Sequence, residues 1–170
     1  MALEIERRFL VAGDGWRPHV RWSRSLRQGY LAGGPDGVTV RVREAKDQAW
    51  LTLKVAASAD GLVRHEFEYP IPLADASDLL ALAPRQLAKC RHGLDLAGGD
   101  WVLDVFEGAN APLVVAEVEI QDAAVKIIPP AWCVLEITGR PELSNAALSA
   151  QPLACWPAEK RKELLAALEP

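Results

Sequence analysis

Residues 3–11 read Leu-Glu-Ile-Glu-Arg-Arg-Phe-Leu-Val, a stretch in which charged and apolar side chains alternate. Successive side chains of a β-strand point to opposite faces of its sheet, so this alternation predicts a strand. One face of the predicted strand carries Glu4, Glu6 and Arg8, and apolar residues occupy most of the other face. The fold therefore depends on whether the charged face meets solvent or the interior of a closed sheet.

A similar alternation recurs along the first 120 residues, with turn sequences such as those at residues 33–37 and 60–61 between the segments. The eight predicted strands span residues 3–11, 25–32, 38–44, 49–56, 63–71, 86–97, 101–107 and 113–120. Their spacing favours antiparallel hairpins over strand–helix–strand units. Helices are predicted at residues 73–82, after Pro141 and at residues 157–168.

Length and composition indicate one ordinary domain. The chain has 170 residues, of which 25% are charged and 50% hydrophobic, and its formal net charge is −4. That charge provides no global basic field for nucleic acid, and no apolar run approaches the roughly 20 residues that span a bilayer. The three cysteines fit neither a disulfide framework nor a CxxC zinc site, which favours a reducing compartment. We therefore expect a cytoplasmic single domain over residues 1–170, with no nucleic-acid or membrane partner, strand-rich over about 2–150 and ending in the helix at about 157–168.

The charged face of the first strand has counterparts on the other predicted strands. Its basic members are Arg8, Arg41, Arg43, Lys54, Arg64, Lys89 and Arg91, and its acidic members are Glu4, Glu6, Glu66, Glu68, Asp104, Glu117 and Glu119. Taken singly, each strand is consistent with the solvent face of a half-buried antiparallel sheet. Taken together, these faces contain almost no uncharged polar residues, which ordinary surfaces do contain. A charged interior is therefore the competing interpretation.

The charges also occur as same-sign pairs, such as Arg41 with Arg43 and Glu117 with Glu119. Like charges on one strand face repel, so we expect bound ligands to compensate each cluster. Carboxylates without His or Cys suit a hard divalent cation, Mg²⁺ or Mn²⁺, and Arg and Lys suit phosphate oxygens. A site that needs both clusters suits a metal-bound polyphosphate. A closed barrel with a charged lumen and helices on its apolar outer face would hold such a ligand.

The ordered set of motifs resembles the CYTH superfamily, the triphosphate tunnel metalloenzymes. Residues 4–8 resemble the Glu-x-Glu-x-Lys signature of that family. Further similar segments are 28–31, 41–43, 52–54, 64–68, 89–91, 104–108, 113–119, 130–132, 136–139 and 144–148. The resemblance implies an α+β, mostly β fold: a closed eight-stranded antiparallel barrel, or tunnel, with peripheral α-helices. Such a tunnel binds a triphosphate group and one or two divalent metal ions.

Carried over position by position, the resemblance also implies roles for individual residues. The implied phosphate ligands are Arg8, Arg41, Arg43, Lys54, Arg64, Lys89 and Arg91. The implied metal ligands are Glu4, Glu6, Asp104, Glu117 and Glu119, with Glu66 and Glu68 as metal-binding or water-positioning residues. The catalytic candidates are Arg8, Lys89 and Tyr30. For the general base, Tyr30 acting with Lys89 and a metal-bound hydroxide remain alternatives.

Two positions depart from the family pattern. Arg8 stands where the signature has lysine, which keeps the positive charge but changes the geometry of its donors. Glu142 replaces a basic residue just before Ser144-Asn145, and Arg140 lies two positions earlier. Both departures bear on rate and substrate preference more than on phosphate binding itself.

The implied activity is divalent-metal-dependent hydrolysis of the terminal phosphoryl group of a triphosphate. Small family members of this type resemble inorganic triphosphatases, so inorganic tripolyphosphate is the leading substrate. The alternatives are hydrolysis of thiamine triphosphate or a nucleoside triphosphate, adenylate cyclisation, and non-catalytic binding of polyphosphate. The expected partner is a small-molecule triphosphate, bound to a monomer or homodimer. The six tryptophans are interpreted as packing residues beneath helices rather than as a stacking platform.

Overall fold

The computed structural model describes residues 3–33, 37–58 and 63–169, so the predicted turn at 60–61 and most of the turn at 33–37 lie outside the described residues. The strands of the described part are β1 (Leu3–Val11), β2 (Val20–Ala32), β3 (Thr39–Glu44), β4 (Ala49–Ala56), β5 (Val63–Ile71), β6 (Arg85–Leu94), β7 (Asp100–Phe106), β8 (Val114–Glu119) and β9 (Cys133–Glu136). Its α-helices are α1 (Leu73–Leu82), α2 (Asn145–Ala150) and α3 (Ala158–Ala166). Short 3₁₀ turns occupy Arg17–His19, Gly108–Asn110, Pro141–Leu143 and Leu153–Cys155.

Eight of these strands form a closed antiparallel ring in the order β1-β5-β4-β3-β2-β6-β7-β8, with β8 pairing back onto β1. The ring closes where Leu3 and Ile5 of β1 pair with His65 and Val63 of β5. Towards its C-terminal end β1 pairs instead with the short β9, which lies outside the ring. The predicted eight-stranded antiparallel barrel is thus confirmed.

Several predicted boundaries differ from the observed ones. The predictions for β1, β4, β5 and α1 match the structure, whereas β2 begins at Val20 and β6 ends at Leu94. The first part of β2 pairs with β6 alone, because its pairing with β3 starts at Arg27. Sequence analysis missed β9, since its four residues Cys-Val-Leu-Glu show no apolar–polar alternation.

Apolar side chains fill one end of the barrel from the inside. Leu10, Leu87, Phe106 and Val115 alternate in step with the charged residues of their strands, and they therefore point inward. All four are buried in a cluster that includes Leu148 of α2. These four residues, the apolar plug, pack together at this end of the lumen, beside the part of the cavity that α2 lines.

The outer face of the barrel is covered in part by helix. α1 packs through Ala76 and Leu80 onto Val42 and Ala49. A second outer cluster, on β1, β7 and β8, is covered by irregular segments rather than by helices. Tyr69 on β5 remains 54% exposed. The expectation of helices over the apolar outer face therefore holds only near α1.

No helix in the described part of the chain is both long enough and apolar enough to cross a membrane.

Candidate active site

The charged strand faces converge on a cavity of about 770 Å³ inside the barrel. The predicted site residues that line it are Glu4, Glu6, Arg8, Tyr30, Arg41, Arg43, Lys54, Arg64, Glu66, Glu68, Arg91, Glu117 and Glu119. Lys89 and Asp104 lie behind the cavity wall, where both are fully buried. The interpretation of these faces as solvent-exposed is therefore wrong, because the charges point into the barrel.

Cross-strand register places acidic groups beside basic groups of neighbouring strands. Lys54 lies opposite Glu66, and its Nζ atom is 3.0 Å from Glu66 and 2.8 Å from Glu4. Arg64 lies opposite Glu4, and its Nη2 atom donates to Glu6 at 2.7 Å. All seven basic residues of the predicted site form ion pairs of this kind. Clusters of opposite sign therefore compensate much of each other's charge, and compensation by bound ligands stays a prediction.

Compensation is incomplete along an acid-rich wall formed by Glu4, Glu6, Glu66 and Glu119. Among the described residues Glu119 has no basic partner, and burial followed by Glu4 and Glu66 raises the pKa of its carboxyl. The pKa of Glu6 is also raised, by burial first and then by the charge of Glu117. Neighbouring carboxylates thus add to the effect of burial at Glu119 and Glu6, whereas Lys54 helps to lower the pKa of Glu66 on the same wall.

A cation-rich wall is formed by Arg41, Arg43 and Arg91. Burial, followed by the charge of Arg41, lowers the pKa of Arg43 to about 10 even though Glu68 opposes the shift. Four buried guanidinium nitrogens have no hydrogen-bond partner among the described residues: Arg8 Nη2, Arg41 Nε, Arg43 Nε and Arg64 Nε. A buried donor left unpaired costs about 1–3 kcal/mol, so these four donors favour an anionic ligand in the cavity.

Lys89 and Asp104 form a buried pair behind the cavity wall. The Nζ atom of Lys89 donates to Asp104 Oδ2 at 2.5 Å and to Asn145 Oδ1 at 3.3 Å. Burial, followed by the charge of Arg91, lowers the pKa of Lys89 to about 8. Arg91 donates to both oxygens of Asp104, at 2.7 and 2.8 Å. Asp104 therefore holds two cations in place, and its role as a metal ligand stays a prediction.

Tyr30 belongs to a different hydrogen-bond network from Lys89. Its hydroxyl accepts a hydrogen bond from Gln28 Nε2 at 2.8 Å, and burial is the main cause that raises its pKa. No hydrogen bond joins Tyr30 to Lys89 in the described part of the chain. Sequence analysis assigned no role to Gln28 or Asn145. Their positions could have indicated one, because Gln28 is two residues before Tyr30 and Asn145 follows Ser144 in a family motif.

Arg8 connects the cavity to the segment that precedes α2. Its Nη1 atom donates to the backbone oxygen of Leu143 at 3.0 Å, and its Nε atom donates to Glu117 at 3.2 Å. This contact positions Glu142 on the cavity wall, whereas Arg140 is exposed and does not line it. Glu142, at the position where the family has a basic residue, therefore places an acidic group on the cavity wall. Arg140 does not supply the missing positive charge there.

No group of three His, Cys, Asp or Glu side chains in the described residues converges closely enough to hold a metal ion as it stands. Glu68 and Glu117, two predicted ligands, accept hydrogen bonds from Arg43 at 3.0 Å and from Arg91 at 2.8 Å. The acid-rich wall nevertheless fits a hard divalent cation in donor type and charge. It offers only oxygen donors, and its carboxylates repel one another.

A closed antiparallel barrel with acidic and basic groups around its lumen defines a tunnel protein for anionic ligands. The CYTH domain model matches residues 2–147, so the chain belongs to the CYTH domain family. The resemblance found in the sequence motifs is confirmed.

Named relatives and solved structures agree with this assignment. An inorganic triphosphatase of Acetivibrio thermocellus is 34% identical over 154 residues, which cover 89% of this chain and 96% of that protein. An inorganic triphosphatase of Nitrosomonas europaea is 39% identical over 152 residues, with coverage of 86% and 96%. The crystal structure of an inorganic triphosphatase is similar with a TM-score of 0.61 and 35% identity, covering 88% of this chain and 95% of that chain. The chain is thus an enzyme of this family.

Proposed function

We propose that this enzyme hydrolyses the terminal phosphoryl group of inorganic tripolyphosphate with the help of Mg²⁺ or Mn²⁺. The observation that carries the proposal is the division of one cavity into an acid-rich and a cation-rich wall. A triphosphate with a divalent cation presents complementary charges to both walls. The names of the two relatives at 34% and 39% identity support the choice of the inorganic substrate.

Phosphate binding is assigned to the basic residues of the cavity wall. When phosphate binds, these residues must give up carboxylate partners for phosphate oxygens. The unpartnered nitrogens of Arg8, Arg41, Arg43 and Arg64 can donate to phosphate without giving up a partner. Arginine binds phosphate oxygens with a fixed fork of donors, and charge-assisted bonds of this kind are stronger than neutral ones. In a loose transition state these residues stabilise the charge on the equatorial oxygens.

Metal binding is assigned to the acid-rich wall, Glu4, Glu6, Glu66 and Glu119, with Glu117 and Glu68 as further candidates. When bound, a divalent cation neutralises phosphate charge and activates water. Glu119 is available at once because it has no basic partner among the described residues. Glu4 and Glu66 share Lys54, whose ammonium group is released from them when it binds a phosphate oxygen.

Proton transfer is assigned to Lys89, with Tyr30 as a hydrogen-bond donor. Burial raises the pKa of Tyr30, so its hydroxyl keeps its proton at neutral pH. Tyr30 can therefore donate a hydrogen bond to the substrate but does not act as a base. Lys89 has a pKa of about 8, close to the range in which a group works as a base at physiological pH. Asn145 connects it to the cavity, since Asn145 contacts Lys89 and also lines the cavity.

The experiment that tests the function is phosphate release from tripolyphosphate, ATP and thiamine triphosphate, each with Mg²⁺ and with Mn²⁺. We expect the highest kcat/KM for tripolyphosphate, because the charged groups of both walls suit phosphates and a metal ion rather than an organic group. A higher value for an organic triphosphate would transfer the assignment to that substrate, and binding without hydrolysis would support the polyphosphate binder. The single domain over residues 1–170, the cytoplasmic location and the monomer or homodimer stay predictions.

A further inference from the structure

Two tryptophans and one arginine lie at the end of the barrel away from the apolar plug. Trp22 and Arg24 belong to β2 and Trp50 belongs to β4, and we call these three residues the mouth stack. Trp22 pairs with Gly93 of β6 and packs flat against it, because a Cβ atom on Gly93 would lie 2.1 Å from the indole nitrogen. Gly93 shares its face with Arg91, which lines the cavity, so the stack lies on the inner face of the barrel.

The mouth stack is continuous with the cation-rich wall. The guanidinium carbon of Arg24 lies 5.9 Å from the ring centre of Trp22 and 5.7 Å from that of Trp50. Arg43 of the cation-rich wall lies over the same Trp50 ring, at 5.2 Å. The Trp50 ring thus lies near two arginines: Arg43, which lines the cavity, and Arg24, which is next to the cavity and does not line it.

Arg24 differs from the seven basic residues of the cavity and its wall. Each of those residues is ion-paired, whereas Arg24 forms no ion pair and no side-chain hydrogen bond within the described ranges. Its side chain is exposed, and Trp22 beside it is 47% exposed. The interpretation of all six tryptophans as packing residues is therefore wrong for Trp22. Stacking uses only the faces of a guanidinium and leaves its N–H donors free at the edge.

We propose that the mouth stack is a subsite for an additional phosphate group of linear polyphosphates longer than tripolyphosphate. Arg24 binds that phosphate, and Trp22 and Trp50 position the guanidinium. The inference rests on the proposed function, because the first three phosphates occupy the tunnel between the acid-rich and cation-rich walls. The series Arg41, Arg43 and Arg24 then continues along the anion from the cavity to the mouth.

The chemistry of the stack favours a phosphate over a planar base. A base that stacked between the two indoles would have to displace Arg24 and would leave its charge unused. An anion instead meets an unpaired cation that already lies within about 6 Å of two indole rings. Preorganisation of this kind reduces the conformational entropy lost on binding.

The test compares the affinities of tripolyphosphate and tetrapolyphosphate by isothermal titration calorimetry in metal-free buffer, where binding is measured without turnover. Arg24→Gln removes the charge, and Arg24→Lys keeps the charge but loses the planar stacking group. Arg27→Gln is the matched control, because Arg27 lies on the outer face of the same strand and pairs with Glu44 at 2.8 Å. Arg24 has no ion pair to lose, so the melting temperature of each Arg24 variant should match that of the parent.

We expect the parent to bind tetrapolyphosphate more tightly than tripolyphosphate. Arg24→Gln should weaken tetrapolyphosphate binding about tenfold, the effect of losing one exposed charge-assisted hydrogen bond, and should change tripolyphosphate binding less than about twofold. Arg24→Lys should give an intermediate loss, and Arg27→Gln should change neither affinity.

Equal losses for the two polyphosphates, or no loss for either, would overturn the subsite. A loss confined to ATP, added as a third ligand, would also overturn it and identify a base-stacking platform. A parent protein that neither binds tripolyphosphate in this buffer nor releases phosphate from it with Mg²⁺ or Mn²⁺ would refute the proposed function. A parent that binds tripolyphosphate but shows no selective effect at Arg24 would refute this inference alone.

Discussion

The charged lumen and the apolar plug occupy the inside of the same barrel, and four strands, β1, β6, β7 and β8, contribute to both. On the inward face, the next residue after Arg8 is Leu10. In the same way, the inward residue before Glu117 is Val115, and the inward residue before Lys89 is Leu87. Leu10 and Val115 are inaccessible to solvent, as expected of a packed core, whereas Arg8 and Glu117 line a cavity. The inward face of a barrel strand therefore has two environments. Neighbouring inward residues, two positions apart in the sequence, can belong to the binding site and to the packed core.

This difference divides the energetic roles of the inward residues. In the plug, each buried apolar side chain contributes to stability by removal from water and by packing. In the lumen, buried ion pairs cost desolvation energy that their attraction offsets only in part. We therefore expect changes in the lumen to affect ligand binding and turnover, and changes in the plug to affect the free energy of unfolding.

The largest expected effect belongs to Glu119→Gln. Loss of this carboxylate should lower kcat for tripolyphosphate by roughly 10³-fold, because the acid-rich wall loses its member without an ion pair. The fold should be retained. Because the pKa of Glu119 is raised in the folded state, its ionisation costs stability above that pKa, and the neutral amide should leave the melting temperature at pH 7 unchanged or higher.

Two further variants sharpen this prediction. Glu163→Gln on α3 is the matched control, since Glu163 is exposed and far from the cavity wall, and it should leave kcat and melting temperature unchanged. Glu117→Gln should also abolish turnover, but it breaks buried pairs with Arg8 and Arg91 and should cost about 3 kcal/mol of stability. Full activity of the Glu119→Gln variant would show that Glu119 does not take part in the active site.

In the plug, Leu10→Ala should reduce the free energy of unfolding by about 3 kcal/mol. This loss lowers the folding equilibrium constant by roughly 10²-fold. Leu10 is fully buried among Tyr30, Phe106 and Val115, so its removal leaves a cavity. Chemical denaturation measures the loss, and kcat per folded molecule should stay near the parent value. A large loss of kcat without loss of stability would show that the plug takes part in binding.

Next in size is Arg41→Ala on the cation-rich wall. It should lower kcat/KM for tripolyphosphate about 30-fold, because a buried charge-assisted contact to phosphate is lost. Arg41→Lys should recover only part of this loss, since lysine has no fork of donors. Steady-state kinetics with both variants gives the result, and parental kcat and KM in Arg41→Ala would indicate that Arg41 serves only its pairs with Glu66 and Glu68.

The smallest effect is expected for Arg8→Lys, the variant that restores the family's signature residue. Activity should stay within about fivefold of the parent because the charge is kept, whereas Arg8→Ala should lower the rate about tenfold or more. Arg8→Ala also removes the hydrogen bond to Leu143, so the position of Glu142 should shift. An alanine variant as active as the parent would show that Arg8 does not contact the substrate.

Sequence analysis predicted the eight ring strands and most of the cavity residues, because alternation depends only on local sequence. It could not predict ion pairing, which depends on register: Lys54 finds Glu4 and Glu66 on β1 and β5 only once the ring is closed. Sequence analysis missed the pairing of Asp104 for the same reason, since its partners Lys89 and Arg91 lie on β6. The exposure of Trp22 also could not be predicted, because it depends on the first part of β2 pairing with β6 alone among the described strands.

The central claim is that the two walls of the lumen act together on a metal-bound triphosphate. The most direct measurement is phosphate release from tripolyphosphate by the parent enzyme in excess EDTA, followed by titration with Mg²⁺. The account predicts no release in EDTA and a saturable return of activity on addition of Mg²⁺, with Glu119→Gln showing little return at the same concentrations. Full turnover in excess EDTA would contradict it.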